Sequence, residues 1–282
     1  MIYDREKCVH YEDKQYGGNA LKFLYGNKFG RVLLKIAVSP EFSKLSGAYY
    51  SSTLSKRKIK PFIEKHGIAL DDFEKKEYRS FNDFFTRKKV VKPCFKKTDF
   101  ISPADSKLTV YKIGDGMKIR VKNCVYTIGE LVGSNGVLES FSGGYCFVFR
   151  LSMDDCHRYC FVDDGAVEAK YLIRGKLHTV SSISQSRKVF CENTRQVNVL
   201  STDNFGKIVV VEVGAMLVGK FRDNGKTVFK KGEEKGFFEL GGSTIVVLTD
   251  GSVKIDDDIL EQSENGIETR VKYAERIGEK NA

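Results

Sequence analysis

The sequence predicts an α+β chain, with a helical N-terminal region packed on a β-rich, mainly antiparallel domain. Three observations carry this. Apolar residues recur at helical spacing through the first part of the chain, short apolar runs alternate with glycine turns from about Phe100, and no strand–helix alternation of a parallel doubly wound sheet is present. At 282 residues and 41% hydrophobic, the chain can bury a sizeable core without disulfide or metal staples.

Residues 20–50 hold Leu21, Leu24, Val32, Leu33, Ile36, Ala37, Phe42 and Leu45 at helical spacing, with lysines and Arg31 between them. Pro40 is expected near a helix start, where its fixed φ is tolerated. Most of these apolar residues are expected to pack on the core, with one apolar edge exposed as an amphipathic membrane contact. Residues 53–66 read as another helix, with Ile59, Phe62 and Ile63 inward and Lys56, Arg57, Lys58 and Lys60 outward. Phe81, Phe84 and Phe85 give a short aromatic helix that belongs to the core, while Arg87 and Lys88 read as solvated charges. Strands are expected at 108–113, 117–121, 145–151, 166–173, 197–200, 208–213 and 245–248, with a hairpin turn at Asn204-Phe205-Gly206. The polar end after Gln262 is expected to be partly disordered.

Seven cysteines stand at positions 8, 94, 124, 146, 156, 160 and 191. The number is odd and the spacing is not that of a disulfide framework, which fits a reduced, cytosolic setting. Cys156, His157 and Cys160 lie close in sequence, but no second Cys/His cluster completes four ligands, so no metal is expected. No run of eighteen apolar residues exists and the N-terminus lacks a signal-peptide core, so no transmembrane helix is expected. Residues 1–98 carry 22 Lys+Arg against 11 Asp+Glu, whereas the whole chain nets +10, so all the net positive charge lies in this first third. Such a basic region is attracted to anionic lipid headgroups. It lacks any nucleic-acid-binding motif, so no nucleic acid is expected as a partner.

One stretch carries chemistry of its own: Phe237-Phe238-Glu239-Leu240-Gly241-Gly242-Ser243-Thr244-Ile245-Val246, with 40 residues following Gly242. A glycine carbonyl is unhindered, and the Ser243 hydroxyl can attack it once a base takes its proton. The ester so formed can eliminate to dehydroalanine, which hydrolyses to a pyruvoyl ketone. The same residues also read as a turn leading into a buried strand.

Four further segments accompany it in order: Ser80 to Lys88 with its phenylalanines, Ile101-Ser102-Pro103-Ala104-Asp105, Leu151 to Cys160, and Glu212-Val213-Gly214-Ala215. Together the five segments resemble the phosphatidylserine decarboxylases, collinearly from about Tyr3 to Gly278. The resemblance implies self-cleavage between Gly242 and Ser243 into a β chain, residues 1–242, and an α chain, residues 243–282. Ser243 would become the pyruvoyl group, the covalent cofactor. Residues 1–98 would be a basic helical membrane-contact region, and residues 99–282 the β-rich catalytic domain.

The implied reaction is decarboxylation of phosphatidylserine to phosphatidylethanolamine and carbon dioxide, in phospholipid biosynthesis, through a Schiff base to the pyruvoyl ketone. The implied setting is peripheral, on the cytoplasmic face of the cell membrane, against anionic lipid, and the family suggests a homodimer. The implied site set is Ser243, Asp105 and His157, with Cys160 where the family's second histidine stands in Asp-Tyr-His-Arg-x-His. A thiol is a poor base near neutral pH unless its pKa is lowered, so His157 is the first candidate for the relay and His178 the second. Ser106 stands where the family's Ser-Pro-x-Asp-Gly has glycine, which bears on the pose of Asp105. Cys160 keeps a second reading open, an unprocessed, catalytically silent homologue that binds anionic lipid.

Overall fold

The computed structural model describes residues 1–13, 18–75, 77–90, 94–121, 124–133, 141–179, 188–215, 221–240 and 243–281. It opens with two short strands, β1 (Ile2–Asp4) and β2 (Val9–Tyr11), so the region read as helical begins in sheet. Helices α1 (Gly18–Gly26), α2 (Lys28–Ala37) and α3 (Pro40–Ser51) follow. Asn27 caps α2 by accepting from the Phe29 N–H, and Ser39 caps α3 by accepting from the Phe42 N–H, with Pro40 in the first turn. Gly30 is required where α2 meets α1, because a Cβ there would lie 2.0 Å from the Phe23 carbonyl oxygen. A 3-10 segment, Thr53–Lys58, runs into α4 (Ile59–His66), which ends on Gly67 in the left-handed conformation at φ 61°. The aromatic helix α5 (Phe81–Phe85) is capped by Ser80.

The expected exposed apolar edge is present, but the expected packing of most apolar residues of 20–50 on the core is not. Val32, Leu33, Ile36 and Leu45 are exposed, at 51–73%, and Phe29 at 80%, while Leu34 and Val38 are the buried apolar residues around α2. Residues 29, 32, 33 and 36 fall on one stripe of α2, and nothing among the described residues covers that stripe. The expected inward face of α4 does form, with Ile59 and Phe62 buried alongside Tyr78, Phe81, Phe84 and Phe85.

The remaining elements are β3 (Asp99–Ile101), β4 (Ser106–Lys112), β5 (Lys118–Val121), β6 (Cys124–Thr127), α6 (Ile128–Val132), β7 (Tyr145–Leu151), β8 (Arg158–Cys160), β9 (Gly165–Ile173) and α7 (Val189–Glu192). After them come β10 (Arg195–Thr202), β11 (Gly206–Val213), β12 (Phe221–Asp223), β13 (Val228–Phe229), β14 (Glu234–Phe238), β15 (Ser243–Thr249), β16 (Val253–Ile255), α8 (Asp257–Glu264), β17 (Glu268–Val271) and β18 (Arg276–Lys280). The end expected to be disordered is therefore ordered. Its strand β17 inserts between β4 and β1, and β18 pairs with β16 and β3.

A ten-stranded sheet in the order β13-β9-β10-β11-β15-β7-β4-β17-β1-β2 forms the centre, antiparallel throughout except for the β1–β17 pair. One face carries Leu108, Val110, Phe147, Phe149, Ile245 and Val247, packed against the small sheets through Tyr159, Cys160, Phe238, Ile255 and Ile277. The other carries Val148, Val209, Val211, Val246 and Leu248, covered by Ile119, Ile128, Leu131 and Phe141. Burial on both faces explains why 245–248 reads as an unbroken apolar run rather than an alternating one. All seven residues of β15 are buried.

Candidate active site

Ser243 is the first residue of β15, with Leu151 of β7 opposite it. Its neighbour Thr244 pairs with Arg150, and Arg150 pairs with Lys107, so Ser243, Leu151 and Ser106 terminate three adjacent strands. By the alternation of a strand, Ser243 shares the face of Ile245 and Val247, the face that packs on β8 and β14. Ser243 is fully buried, and its hydroxyl has no hydrogen-bond partner among the described residues. A buried hydroxyl without a partner is uncommon and calls for an explanation. Upstream, the Leu240 N–H donates to the Asn82 side chain at 3.1 Å, which ties the approach to Ser243 onto α5. Gly241 and Gly242 lie outside the described residues.

His157 is also fully buried. Its ring lies 3.9 Å from that of Phe85, centroid to centroid, and its carbonyl accepts from the Phe238 N–H at 3.0 Å. Nδ1 lies 3.1 Å from the Asp155 carbonyl oxygen. A carbonyl only accepts, so Nδ1 carries the proton and Nε2 carries the lone pair, and Nε2 is buried without a partner among the described residues. Burial pushes the imidazole down to about 3, with Arg87 and Lys107 adding to the effect, so the ring is neutral at physiological pH.

The loop that presents His157 is held from three sides. The Asp155 carboxylate takes Lys107 Nζ at 2.7 and 2.9 Å and the Ser152 N–H at 2.7 Å. Arg87 reaches over from the end of α5, donating to the Asp154 carbonyl at 2.7 Å and the Asp155 carbonyl at 3.3 Å. Its guanidinium lies 4.8 and 4.7 Å from the Phe73 and Phe84 rings. Arg87, expected as a solvated charge, is buried; Lys88 is half-exposed and pairs with Glu74.

Asp105 belongs to the turn entering β4. Both its oxygens accept from Lys89 Nζ, at 2.8 and 2.6 Å, and Oδ1 also accepts from the Tyr273 N–H at 2.8 Å. The same turn meets Cys160, whose N–H donates to the Pro103 carbonyl at 2.9 Å and whose thiol faces the Ser102 carbonyl at 3.8 Å. Burial pushes the Cys160 thiol up to about 12, so it is a neutral thiol rather than a base. Ser106 needs no glycine-like backbone, since it is not among the positive-φ residues and starts a regular strand.

The structure thus gathers Asp105 and Cys160 around one turn, and orients His157 through Asp155 rather than through Asp105. His178 stands apart from this set: it is buried, with Nδ1 3.2 Å from the Tyr25 hydroxyl and its carbonyl held by Asn193. Sequence reading missed Lys89, Lys107 and Arg87. For Lys107, its alternation with Leu108 inside a strand was the available signal. Among the described residues, no group of three or more His, Cys, Asp or Glu side chains is placed to hold a metal ion. No helix of the described residues is long and apolar enough to cross a membrane.

A β-rich chain with a buried serine at a glycine–serine junction and a buried neutral histidine is the setting of an enzyme, and comparison gives its class. Residues 81–279 match the family described as phosphatidylserine decarboxylase, and the chain belongs to that family of decarboxylases. It is 49% identical to phosphatidylserine decarboxylase proenzyme 2 of Clostridium acetobutylicum, over 99% of this chain and 98% of the relative. It is 36% identical to the phosphatidylserine decarboxylase proenzymes of Clostridium perfringens and Ruminiclostridium cellulolyticum, over 99% of this chain in each case and 99% and 97% of the relatives.

Proposed function

We propose that this chain is a self-cleaving proenzyme that decarboxylates phosphatidylserine to phosphatidylethanolamine, with Ser243 as precursor of a pyruvoyl group. The observation that carries the reading is a pair of buried polar atoms, Ser243 Oγ and His157 Nε2, that have no partner among the described residues. The first is a hydroxyl that can lose a proton, the second a lone pair that can take one.

In this reading His157 Nε2 accepts the Ser243 proton as Oγ attacks the Gly242 carbonyl. The peptide C–N bond gives way to an ester. Loss of the Cα proton of residue 243 and departure of the Gly242 carboxylate leave dehydroalanine, and water replaces its nitrogen, released as ammonia, with a ketone. The fold suits such a group at residue 243. A new chain end there lies at the tip of β15, while residues 244–248 stay paired with β11 on one side and β7 on the other. The α chain is further held by β17, inserted between β4 and β1. Once formed, the pyruvoyl group supplies the electron-withdrawing carbonyl that an α-amino acid headgroup needs to lose carbon dioxide. His157 Nε2 then accepts and returns the proton of each turnover, in a fully buried position with the Phe85 ring packed on the imidazole.

The substrate sits in a bilayer, and α2 offers the contact. Phe29, Val32, Leu33 and Ile36 form its exposed apolar stripe, and exposed Lys28, Arg31 and Lys35 flank it. An apolar stripe edged with cations lies in the interface of an anionic membrane, on the cytoplasmic face in this reading. The test is conversion of phosphatidylserine to phosphatidylethanolamine in anionic vesicles by the purified protein, with and without a hydrazine that captures ketones. Turnover abolished by the hydrazine supports the reading. Vesicle binding without turnover favours the silent lipid-binding homologue.

A further inference from the structure

Asp105 needs a counter-charge, because its carboxylate is only 15% exposed. Neither of the nearby candidates supplies one. The His157 Nδ1 proton is committed to the Asp155 carbonyl, and the Cys160 thiol is neutral and faces the Ser102 carbonyl. Lys89 does supply it, with Nζ on both carboxylate oxygens and a side chain 20% exposed.

The lysine is delivered there by its backbone. Lys89 forms an antiparallel bridge with Phe73, the Glu74 N–H donates to the Lys88 carbonyl at 2.9 Å, and the Val90 N–H donates to the Asp72 carbonyl at 2.7 Å. The ion pair therefore fastens the N-terminal region to the turn at the mouth of β4, two strands from Ser243. The same carboxylate fixes the Tyr273 backbone of the segment 243–282.

We propose that Lys89 is a positioning residue for self-cleavage, which holds the Asp105 carboxylate fixed at the end of β4, two strands from Ser243. This rests on the self-cleavage reading above. Without the ammonium, Asp105 keeps only the Tyr273 N–H, and the turn that supports Cys160 and β4 loosens. A histidine at position 160, on β8 against the same turn, would offer Asp105 a second hydrogen-bond donor and make Lys89 less necessary.

The experiment follows the whole chain in cell-free translation, with intact mass read against time, for wild type, Lys89→Leu, Lys89→Arg, Cys160→His and the Lys89→Leu/Cys160→His double variant. Lys89→Leu is expected to cleave about tenfold more slowly than wild type, equivalent to about 1.4 kcal/mol at the barrier. Lys89→Arg stays close to wild type, and the loss from Lys89→Leu shrinks in the Cys160→His background. If Lys89→Leu does not fold by circular dichroism, Lys89→Gln decides the same question. Equal cleavage rates in wild type and Lys89→Leu overturn this proposal alone, as does an undiminished loss in the Cys160→His background. A wild-type chain that stays whole defeats the self-cleavage reading and this proposal with it.

Discussion

The Nδ1–H of His157 donates to the carbonyl of Asp155 at 3.1 Å, and this bond leaves Nε2 as a buried lone pair with no partner among the described residues. Asp155 is in turn held by Lys107 on its carboxylate and by Arg87 on its carbonyl. The His157 ring is thus oriented by Asp155, two residues before it, and not by Asp105.

Replacing His157 by Gln removes that lone pair while filling most of its space. Cleavage is expected to slow by about 100-fold or more, the usual reach of general base catalysis. Intact mass against time measures it, and circular dichroism confirms that the fold is kept.

The depressed pKa of His157 has a consequence for stability. In the unfolded chain the imidazole takes a proton below about 6.5, whereas the folded ring takes one only near 3. The unfolded state therefore binds more protons between those values. The contribution is intact above pH 6.5 and is lost as pH falls from 6.5 toward 3. Urea midpoints across that window should fall with pH more steeply for wild type than for His157→Gln.

Much of this arrangement is legible in the sequence. Strand 145–151 and the helical start at Pro40 follow from local patterns that packing then respects. An exposed apolar edge is likewise legible, but not which residues form it, because Leu33 and Leu34 read alike, and only the docking of α2 decides that Leu34 turns inward. The ordered end after Gln262 is similarly hidden, since polar β17 is a strand only because β4 and β1 flank it. In the site, Ser243, Asp105 and His157 come from motifs. Lys89 and Lys107 do not, since a lysine's partner lies elsewhere in the chain, and the place of Lys107 inside a strand marks the lysine but not the Asp155 it meets.

Cys160 and Cys156 are neutral thiols in the core, the latter pushed up to about 11 by burial. With iodoacetamide at pH 8, Cys8 and Cys94, both exposed, should be modified, and Cys146, Cys156 and Cys160 spared until urea is added. Peptide mass mapping reads the outcome. Rapid labelling of Cys160 in the folded protein would restore it as a reactive group.

Changing Phe29, Val32 and Ile36 together to Ser removes most of the α2 stripe. Sedimentation with anionic vesicles should weaken by about tenfold or more, in line with roughly 25 cal/mol for each Å² of apolar surface buried. Self-cleavage should continue, because the stripe lies outside the site. Binding by wild type should also fall with added salt, since its cationic flank is screened.

Lys235 is buried between Glu212 and Asp223, at 2.6 and 2.8 Å. Lys235→Met leaves Glu212, itself fully buried, without its cation, and is expected to cost about 3–5 kcal/mol of stability. Urea unfolding measures this, and Lys235→Met combined with Glu212→Gln should recover part of the loss.

Ser243 is expected to open the chain at Gly242. Intact mass spectrometry of the purified wild type beside Ser243→Ala addresses it most directly. Two fragments are expected in the wild type, residues 1–242 and a shorter one beginning with a pyruvoyl group, and one whole chain in the variant. A single whole chain in both samples would contradict it.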